Sequence, residues 1–386
     1  MNAGSSGLRG VVVGDSTICD VHASGDLFYR GYNIHDLADN ATFEETVFLL
    51  WNGMLPTRGE LAGFRTALAM EAALPAGLLD VLPALHKECS AMDALRTMVS
   101  ALATYDPDAN KNSETANRRK ALRLQAKMPT MVAAIERWMQ GKPPVAPRAE
   151  LGLAANFLWM LFGTEADPVF VRAMDVDFTL HADHELNAST FAARVTVATH
   201  ADIYSGAVSG IGALSGARHG GAAEETMRML LEIGDVENVD GWVTEKLSGE
   251  KRSAVPGFGH AVYRAPDPRA RHLHGMSAEL ADSLGDRRWL NMAEAAEAVV
   301  DALSNTPERM AAGKQPIYAN VDCFSALCYH QMGLPMRLFT PIFAISRTAG
   351  WCAHMMEQYQ PDQKIIWPRS EYVGARNLTW TPIEDR

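Results

Sequence analysis

The chain is predicted to be mainly α-helical, on three observations. Apolar residues recur at helical spacing along most of its length, helix-start signals stand in front of those runs, and period-2 stretches are scarce. Val11–Val13 and Thr17–Val21 are expected as short N-terminal strands, with no series of strands after them. Thr42-Phe-Glu-Glu45 has the capping-box pattern, in which the threonine hydroxyl accepts from the third helical N–H and the glutamate reaches back. It opens a run through Val47, Phe48, Leu50 and Trp51 that closes where Gly53 suits the left-handed C-terminal position. Thr57-Arg-Gly-Glu60 repeats the device before Leu61, Phe64 and Leu68, and Ser90-Ala-Met-Asp93 precedes Leu95, Met98, Val99 and Leu102 in the same way. Further on, Asn187 or Ser189 is expected to cap a helix through Phe191, Val195 and Val197. The stretch Ser205–Gly216 that follows is rich in glycine and alanine. Each glycine costs a helix about 1 kcal/mol relative to alanine. The stretch is therefore either a loop or a helix packed backbone-close against another element. It lacks the G-x-G-x-x-G and G-K-[ST] patterns of a nucleotide phosphate loop. From about residue 222 to 330 the composition becomes more charged, with acidic stretches at 224–250 and an Ala/Glu helix at 293–303.

At 386 residues the chain has room for two domains or one large domain carrying an insertion. Its longest apolar runs, such as Phe157–Phe162, are far short of the roughly 20 residues of a spanning helix, so no membrane partner is expected. The N-terminal residues show no basic and apolar leader pattern, so no signal peptide is expected. Five scattered cysteines without a C-x-x-C pair argue against a disulfide framework or a zinc site and suit a reducing cytoplasm. A net charge of −11 argues against nucleic acid as a partner. It also means that anionic substrates would have to be drawn by local arginine clusters.

Four places concentrate groups able to do chemistry. His181-Ala-Asp-His184-Glu-Leu-Asn187-Ala-Ser189 is dense in polar residues just before a helix start, and metal ligation, substrate binding and a polar helix cap are all open there. The H-x-x-H-E order is not the H-E-x-x-H of a catalytic zinc helix. In Arg218-His219-Gly220-Gly221 the glycines leave an imidazole accessible and let backbone approach a ligand, although an ordinary loop histidine fits as well. Val255-Pro-Gly-Phe-Gly-His260-Ala-Val-Tyr-Arg264-Ala-Pro-Asp-Pro-Arg269 joins a Pro/Gly turn to one histidine and two arginines, the makings of an anion-binding loop or of a solvated turn. Tyr318-Ala-Asn-Val-Asp322 puts a carboxylate at the start of an apolar helix, where it is either an N-cap or a reactive group.

Together these motifs resemble the citrate synthase family. Gly257-Phe-Gly-His260-x-Val-x-Arg264-x-x-Asp267-Pro-Arg269 matches that family's signature at each defining position. The likeness runs from Gly7-Leu-Arg-Gly-Val and Tyr29-Arg-Gly-Tyr-Asn-Ile through Met92-Asp-Ala-Leu-Arg-Thr to Leu338-Phe-Thr-Pro-Ile-Phe343-Ala-Ile-Ser-Arg347. It implies a homodimer of helical subunits, each with a large domain (1–221 and 331–386) and an inserted small domain (222–330) on the coenzyme side of a cleft. It implies condensation of a short acyl-CoA with oxaloacetate, with acyl-CoA as co-substrate and no permanently bound cofactor or metal. Asp322 is the implied base, His219 the donor to the thioester oxygen, and His260 the group that polarises the ketone. His184, Asn187, Arg269, Phe343 and Arg347 are the implied oxaloacetate-binding residues. Val255, Gly257, Gly259 and Arg264 are implied to meet coenzyme A.

Departures from the family pattern fall around the anion clamp. Trp367-Pro368-Arg369 stands where the family has Arg-Pro, an arginine given across the dimer to the neighbouring site, so Arg369 is expected to substitute from two residues along. Gly216-Ala-Arg-His219-Gly-Gly-Ala-Ala223 and Ala319 also depart from the usual wording. The segments Gly25–Ala38 and Leu55–Leu61 are most like the 2-methylcitrate synthases, which makes propionyl-CoA the expected substrate and acetyl-CoA the alternative. A catalytically weak CoA-ester-binding relative is the remote reading. The resemblance also implies that the extra N-terminal regulatory domain of larger bacterial relatives, and with it NADH control, is not to be expected.

Overall fold

The computed structural model describes Leu8 and residues 10–248 and 253–386. Gly7 and Arg9 of the first family-like segment, and the end of the acidic stretch at 249–250, lie outside the described residues. The N-terminal strands form a small antiparallel sheet of β1 (Cys19–Val21), β2 (Leu27–Tyr29) and β3 (Tyr32–Asn33), with Cys19 opposite Tyr29 and Phe28 opposite Asn33. The expected strand at 17–21 thus forms in its second half. Val11–Val13 carries no strand pairing and its side chains are exposed, because β-branched composition makes a strand only where a partner edge exists.

The rest is helical, as expected. Asn33 caps α1 (Ile34–Asn40). Thr42 and Glu45 form the predicted capping box of α2 (Phe43–Asn52), and Gly53 closes it at φ +82°. Thr57 and Glu60 do the same for α3 (Arg58–Glu71). After the short α4 (Ala76–Leu79), Ser90 caps α5 (Ala91–Leu102). Then come α6 (Glu114–Met139), α7 (Leu153–Phe162), α8 (Pro168–His181), α9 (Ala188–Val197) and α10 (Ile203–Leu214). The remaining helices are α11 (Ala222–Ile233), α12 (Val239–Ser248), α13 (Ala270–Leu284), α14 (Arg288–Ser304), α15 (Pro307–Ala311), α16 (Val321–Gln331) and α17 (Phe339–Gln358). Among the described residues no single helix is long and apolar enough to cross a membrane.

The axis of the fold is α17. It is buried on nearly every side and packs against α6, α8, α9 and α10, so polar residues on it are enclosed whatever their chemistry. The Gly-rich stretch is a helix, α10, and its glycines are what let it approach α17. A Cβ on Gly210 would stand 2.9 Å from the Trp351 ring, and one on Gly206 would run into the Met355 sulfur. Among the later helices, α11 and α13 pack against α16 and α12 packs against α14, while α13 also touches α8.

This packing sets two opposed effects on one helix. Gly210→Ala gains about 1 kcal/mol of helix propensity but forces Trp351 aside, at a typical overpacking cost of about 1–3 kcal/mol. Gly212 has nothing near its missing Cβ. Thermal unfolding is therefore expected to show Gly210→Ala below the wild type and Gly212→Ala at or above it. The reverse order would contradict the account of α10.

Candidate active site

Helix ends and turns bring the reactive side chains together. His181 ends α8, His184 lies in the turn after it, Asn187 and Ser189 begin α9, His219 sits in the turn before α11, Asp322 is in the first turn of α16, and Phe343 and Arg347 project from α17. Two local devices fix these ends. Tyr29, from β2, donates its hydroxyl to the Asp183 carbonyl at 2.8 Å and so ties the sheet to the His184 turn. The turn then passes through Glu185 at φ +54°, a left-handed conformation that a non-glycine residue adopts only when its surroundings hold it there.

The Pro/Gly loop is stitched to the segment before α16. The Gly259 amide donates to the Tyr318 carbonyl at 2.8 Å, and the Asn320 amide to the Gly257 carbonyl at 2.9 Å. The Asn320 side chain donates to the Gly259 carbonyl at 2.9 Å. Gly257 (φ +81°) leaves no room for a side chain, since a Cβ would meet Thr226 at 2.9 Å and the Cys323 backbone at 3.2 Å. His260 and Asp322 are thereby carried on one rigid unit. Val255 is buried beneath the loop.

Asn320 resolves what the sequence left open at Asp322. It is the N-cap of α16, accepting from the Asp322 amide at 3.0 Å, so Asp322 is not needed as the cap. Among the described residues no side chain hydrogen-bonds to the Asp322 carboxylate. Burial raises its pKa, against the pull of His181, Arg269 and Arg347. The group is therefore a stronger base than a surface aspartate.

His260, His219 and His184 are neutral, and the tautomers of the first two follow from their partners. His260 Nδ1 accepts from the amides of Val262 (3.1 Å) and Tyr263 (3.0 Å), which leaves the ring proton on Nε2. His219 Nε2 faces Ser189, with the hydroxyl at 2.8 Å and the amide nitrogen at 3.3 Å. An amide only donates, so the His219 proton is on Nδ1. Burial pushes the pKa of both rings down to about 4, with Arg347 adding to the effect at His219 and Arg269 at His260. Burial, Arg269, His260 and Arg347 hold the His184 pKa well below its ordinary value, and its Nε2 lies 3.0 Å from the Tyr263 hydroxyl.

Two arginines supply positive charge. Arg269 is clamped by Asp267, with Nε to Oδ1 at 3.0 Å and Nη2 to Oδ2 at 2.8 Å, and that carboxylate outweighs burial and raises the guanidinium's pKa. Arg347 is different. It is 1% exposed, its Nε donates to the His181 carbonyl at 2.8 Å, and its Cζ lies 4.5 Å from the Phe343 ring centre. Among the described residues its Nη1 has no hydrogen-bond partner and no carboxylate is within ion-pair distance. Burial lowers its pKa to about 10, leaving it charged at neutral pH. The Phe343 ring also meets His181 at 4.8 Å and His219 at 6.2 Å, so it links the two sides of the cluster.

Not every expected residue joins this cluster. Asn187 is chiefly a helix cap, accepting from the Ser189 and Thr190 amides. Arg264 folds onto the carbonyls of its own loop, 2.7 Å from that of Tyr263. Arg369 lies exposed on the C-terminal segment, beside a Trp367 that is 80% exposed, and is not brought to the cluster of its own chain. Among the described residues no group of His, Cys, Asp and Glu is arranged to hold a metal ion, so the metal reading of His181 and His184 has no support in geometry. Residues beyond the expected set are Tyr263, Ser189, His181 and Asp267. All four stand inside the motifs already singled out, and only their contacts reveal them.

Known proteins of one family resemble the chain over nearly its whole length. The family described as "Citrate synthase, C-terminal domain" matches residues 7–369. The chain is 45% identical to citrate synthase 2 of Bacillus subtilis, over 98% of both chains. It is 43% identical to a citrate synthase of Haloferax volcanii over 98% of both, and 40% identical to a 2-methylcitrate synthase of Mycobacterium tuberculosis over 95% of this chain and 90% of the other. A citrate synthase from Thermoplasma acidophilum, solved as a ternary complex with carboxymethyl coenzyme A and oxaloacetate, superposes with a TM-score of 0.90 at 31% identity over 99% of both chains.

The buried rings give a measurable signature. An ordinary histidine is mostly protonated at pH 5.5, whereas His219 and His260 stay neutral until about pH 4. Because their native pKa lies below the unfolded value, their contribution to stability is complete above about pH 6.5 and is lost as the pH falls towards 4. ¹⁵N NMR at pH 5.5 is expected to show both as single neutral tautomers; protonated rings there would contradict the burial account.

Proposed function

The chain belongs to the citrate synthase family, and from that premise we propose that it condenses a short acyl-CoA with oxaloacetate and hydrolyses the product thioester. The observation that carries this reading is the buried, unpaired Arg347 guanidinium among neutral imidazoles. An enclosed cation with a free donor is costly unless a ligand completes it, and a carboxylate is the complementary ligand.

The residues supply each step. Asp322, with its raised pKa, takes the α-proton of the thioester. The Nδ1–H of His219 donates to the thioester oxygen as negative charge develops there, which is the condition for a carboxylate to deprotonate so weak a carbon acid. The enol carbon attacks the ketone carbon of oxaloacetate while His260 Nε2–H polarises and then protonates the ketone oxygen. Water cleaves the resulting thioester, releasing coenzyme A and the tricarboxylate and making the sequence one-way. Arg347 and Arg269 hold the carboxylates of oxaloacetate with His184 beside them, and Phe343 packs between. The loop of Val255, Gly257 and Gly259, with Arg264, receives coenzyme A.

Residues 222–330 form the smaller of two domains, inserted in the larger one of 1–221 and 331–386. The mutual packing of α11, α12, α14 and α16 supports this division. The working form is a homodimer. Trp367, Tyr372, Val373, Leu378, Trp380 and Ile383 are exposed along the C-terminal segment, a run that favours a protein partner over water. Arg369 then serves the neighbouring subunit's site. Light scattering is expected to give twice the 42.1 kDa chain mass, and a mass of 42.1 kDa would overturn the dimer.

For the acyl group, acetyl-CoA is the first choice, because the relatives at 45% and 43% identity carry the name citrate synthase. Propionyl-CoA is the second reading, favoured by the wording of Gly25–Ala38 and by a 2-methylcitrate synthase at 40%. One methylene is worth only about 1–3 kcal/mol of discrimination, so both are expected to react. Thiol release with oxaloacetate decides: a higher kcat/KM for propionyl-CoA reverses the choice, and no release with either sinks the enzyme reading. Asp322→Asn is expected to cut kcat by at least about a thousandfold, consistent with loss of a general base together with part of the electrostatic stabilisation, while oxaloacetate binding persists.

A further inference from the structure

Tyr263 lies between two of the site's histidines and touches both. Its neighbours Ala261 and Val262 are exposed, whereas Tyr263 is 3% exposed. Its ring stacks on His260 with centroids 4.4 Å apart and planes 24° apart, and it meets His184 edge-on at 5.4 Å. The two histidines are themselves 5.2 Å apart, so the three rings form one packed unit. The Tyr263 amide donates to His260 Nδ1 at 3.0 Å, and the Tyr263 hydroxyl lies 3.0 Å from His184 Nε2. A phenylalanine would supply the same stacking. The hydroxyl is the group that stacking does not explain. Burial keeps it protonated, and His184 Nε2 is its one partner among the described residues.

A tyrosine hydroxyl can donate or accept, but with His184 Nε2 as its one partner among the described residues its buried proton has no other acceptor, so it donates and leaves the His184 proton on Nδ1. We propose that Tyr263 is a positioning residue: its hydroxyl holds the ring orientation and single tautomer of His184, and its amide and stacked ring hold those of His260. The inference rests on the reading of this site as an oxaloacetate site. It adds that substrate recognition by His184 is prepared before the substrate arrives, by a residue on the loop that also carries His260. Without the hydroxyl, His184 keeps a buried nitrogen with no partner, and its ring is free to turn or to move its proton.

The test uses the full-length protein and the isosteric variant Tyr263→Phe. Oxaloacetate affinity, by calorimetry and as KM, is expected to weaken about tenfold, the scale of a lost buried hydrogen bond, while kcat changes by less than about threefold. ¹⁵N NMR of the free protein is expected to show one His184 tautomer in the wild type and a mixture in Tyr263→Phe. A double-mutant cycle with His184→Ala, read as oxaloacetate binding, separates positioning from general loosening. Tyr263→Phe should add nothing further in the His184→Ala background, and additive losses would overturn the proposal. So would unchanged affinity together with an unchanged His184 tautomer in Tyr263→Phe. A wild-type protein that binds no oxaloacetate would sink the reading of the site, whereas the tautomer measurement needs no substrate and still decides whether Tyr263 holds the ring.

Discussion

Burial of an unpaired guanidinium on α17 is the constraint around which the site is arranged. Arg347 stands on a helix enclosed by α6, α8, α9 and α10, with a backbone carbonyl at Nε, an aromatic face at Cζ and nothing at Nη1. Such a charge disfavours any second positive charge nearby. His219 and His184 are kept neutral in part by its field, after burial itself. Neutral imidazoles with assigned tautomers are directional donors, whereas imidazolium rings would donate at both nitrogens and lose that directionality. One buried cation thus supplies attraction for an anion and helps to keep its neighbours in the donor form that the proposed chemistry uses.

The second requirement is to bring a base and an acid from distant parts of the chain to the same place. The Gly257–Gly259 strip is hydrogen-bonded to the Tyr318–Asn320 strip, and both glycines there have positive φ. Asn320 does double duty. Its carbonyl oxygen caps α16 and its amide nitrogen binds the opposite strip. Because the cap is an asparagine, the carboxylate two residues later is spared that task. It then sits in the first turn of α16, where the helix dipole favours its ionised form against the desolvation that raises its pKa.

Local chemistry was legible in the sequence wherever it acts over a few residues. The capping boxes at Thr42 and Thr57, the cap at Ser90 and the turn at Gly53 all form as their spacing predicts. The family-like motif lies on the loop that carries His260, beside the start of α16, and the helical fold class holds. What the sequence could not show depends on separation through space. Val11–Val13 has strand composition but no partner edge, and β3 forms from two residues that carry no strand signal of their own. Gly206 and Gly210 leave a loop open beside the close-packed helix until Trp351 and Met355, some 140 residues later, are seen against them. The choice of Asn320 over Asp322 as the cap, and the contact of Tyr263 with His184, likewise depend on side-chain directions that spacing does not encode.

The two arginines are not equivalent, and the difference couples binding to the proposed base. Arg347 waits unpaired, but Arg269 is already engaged with Asp267, which is itself buried and also accepts from the Val321 amide at 3.1 Å. Val321 is the first residue of α16, directly before Asp322. A substrate carboxylate that draws on Arg269 must share it with Asp267, and any shift of that carboxylate is felt at the start of the helix that carries Asp322. Arg269 holds the Asp267 carboxyl below its ordinary range despite burial, so Asp267 remains an anion and keeps its claim on both partners. In the proposed reading, a dicarboxylate contact at Arg347 forms without disturbing the site, whereas one at Arg269 reaches the α16 terminus through a single buried carboxylate. In the proposed condensation, an acyl thioester would meet a base whose surroundings differ before and after a dicarboxylate binds, a physical reason for the dicarboxylate to bind first.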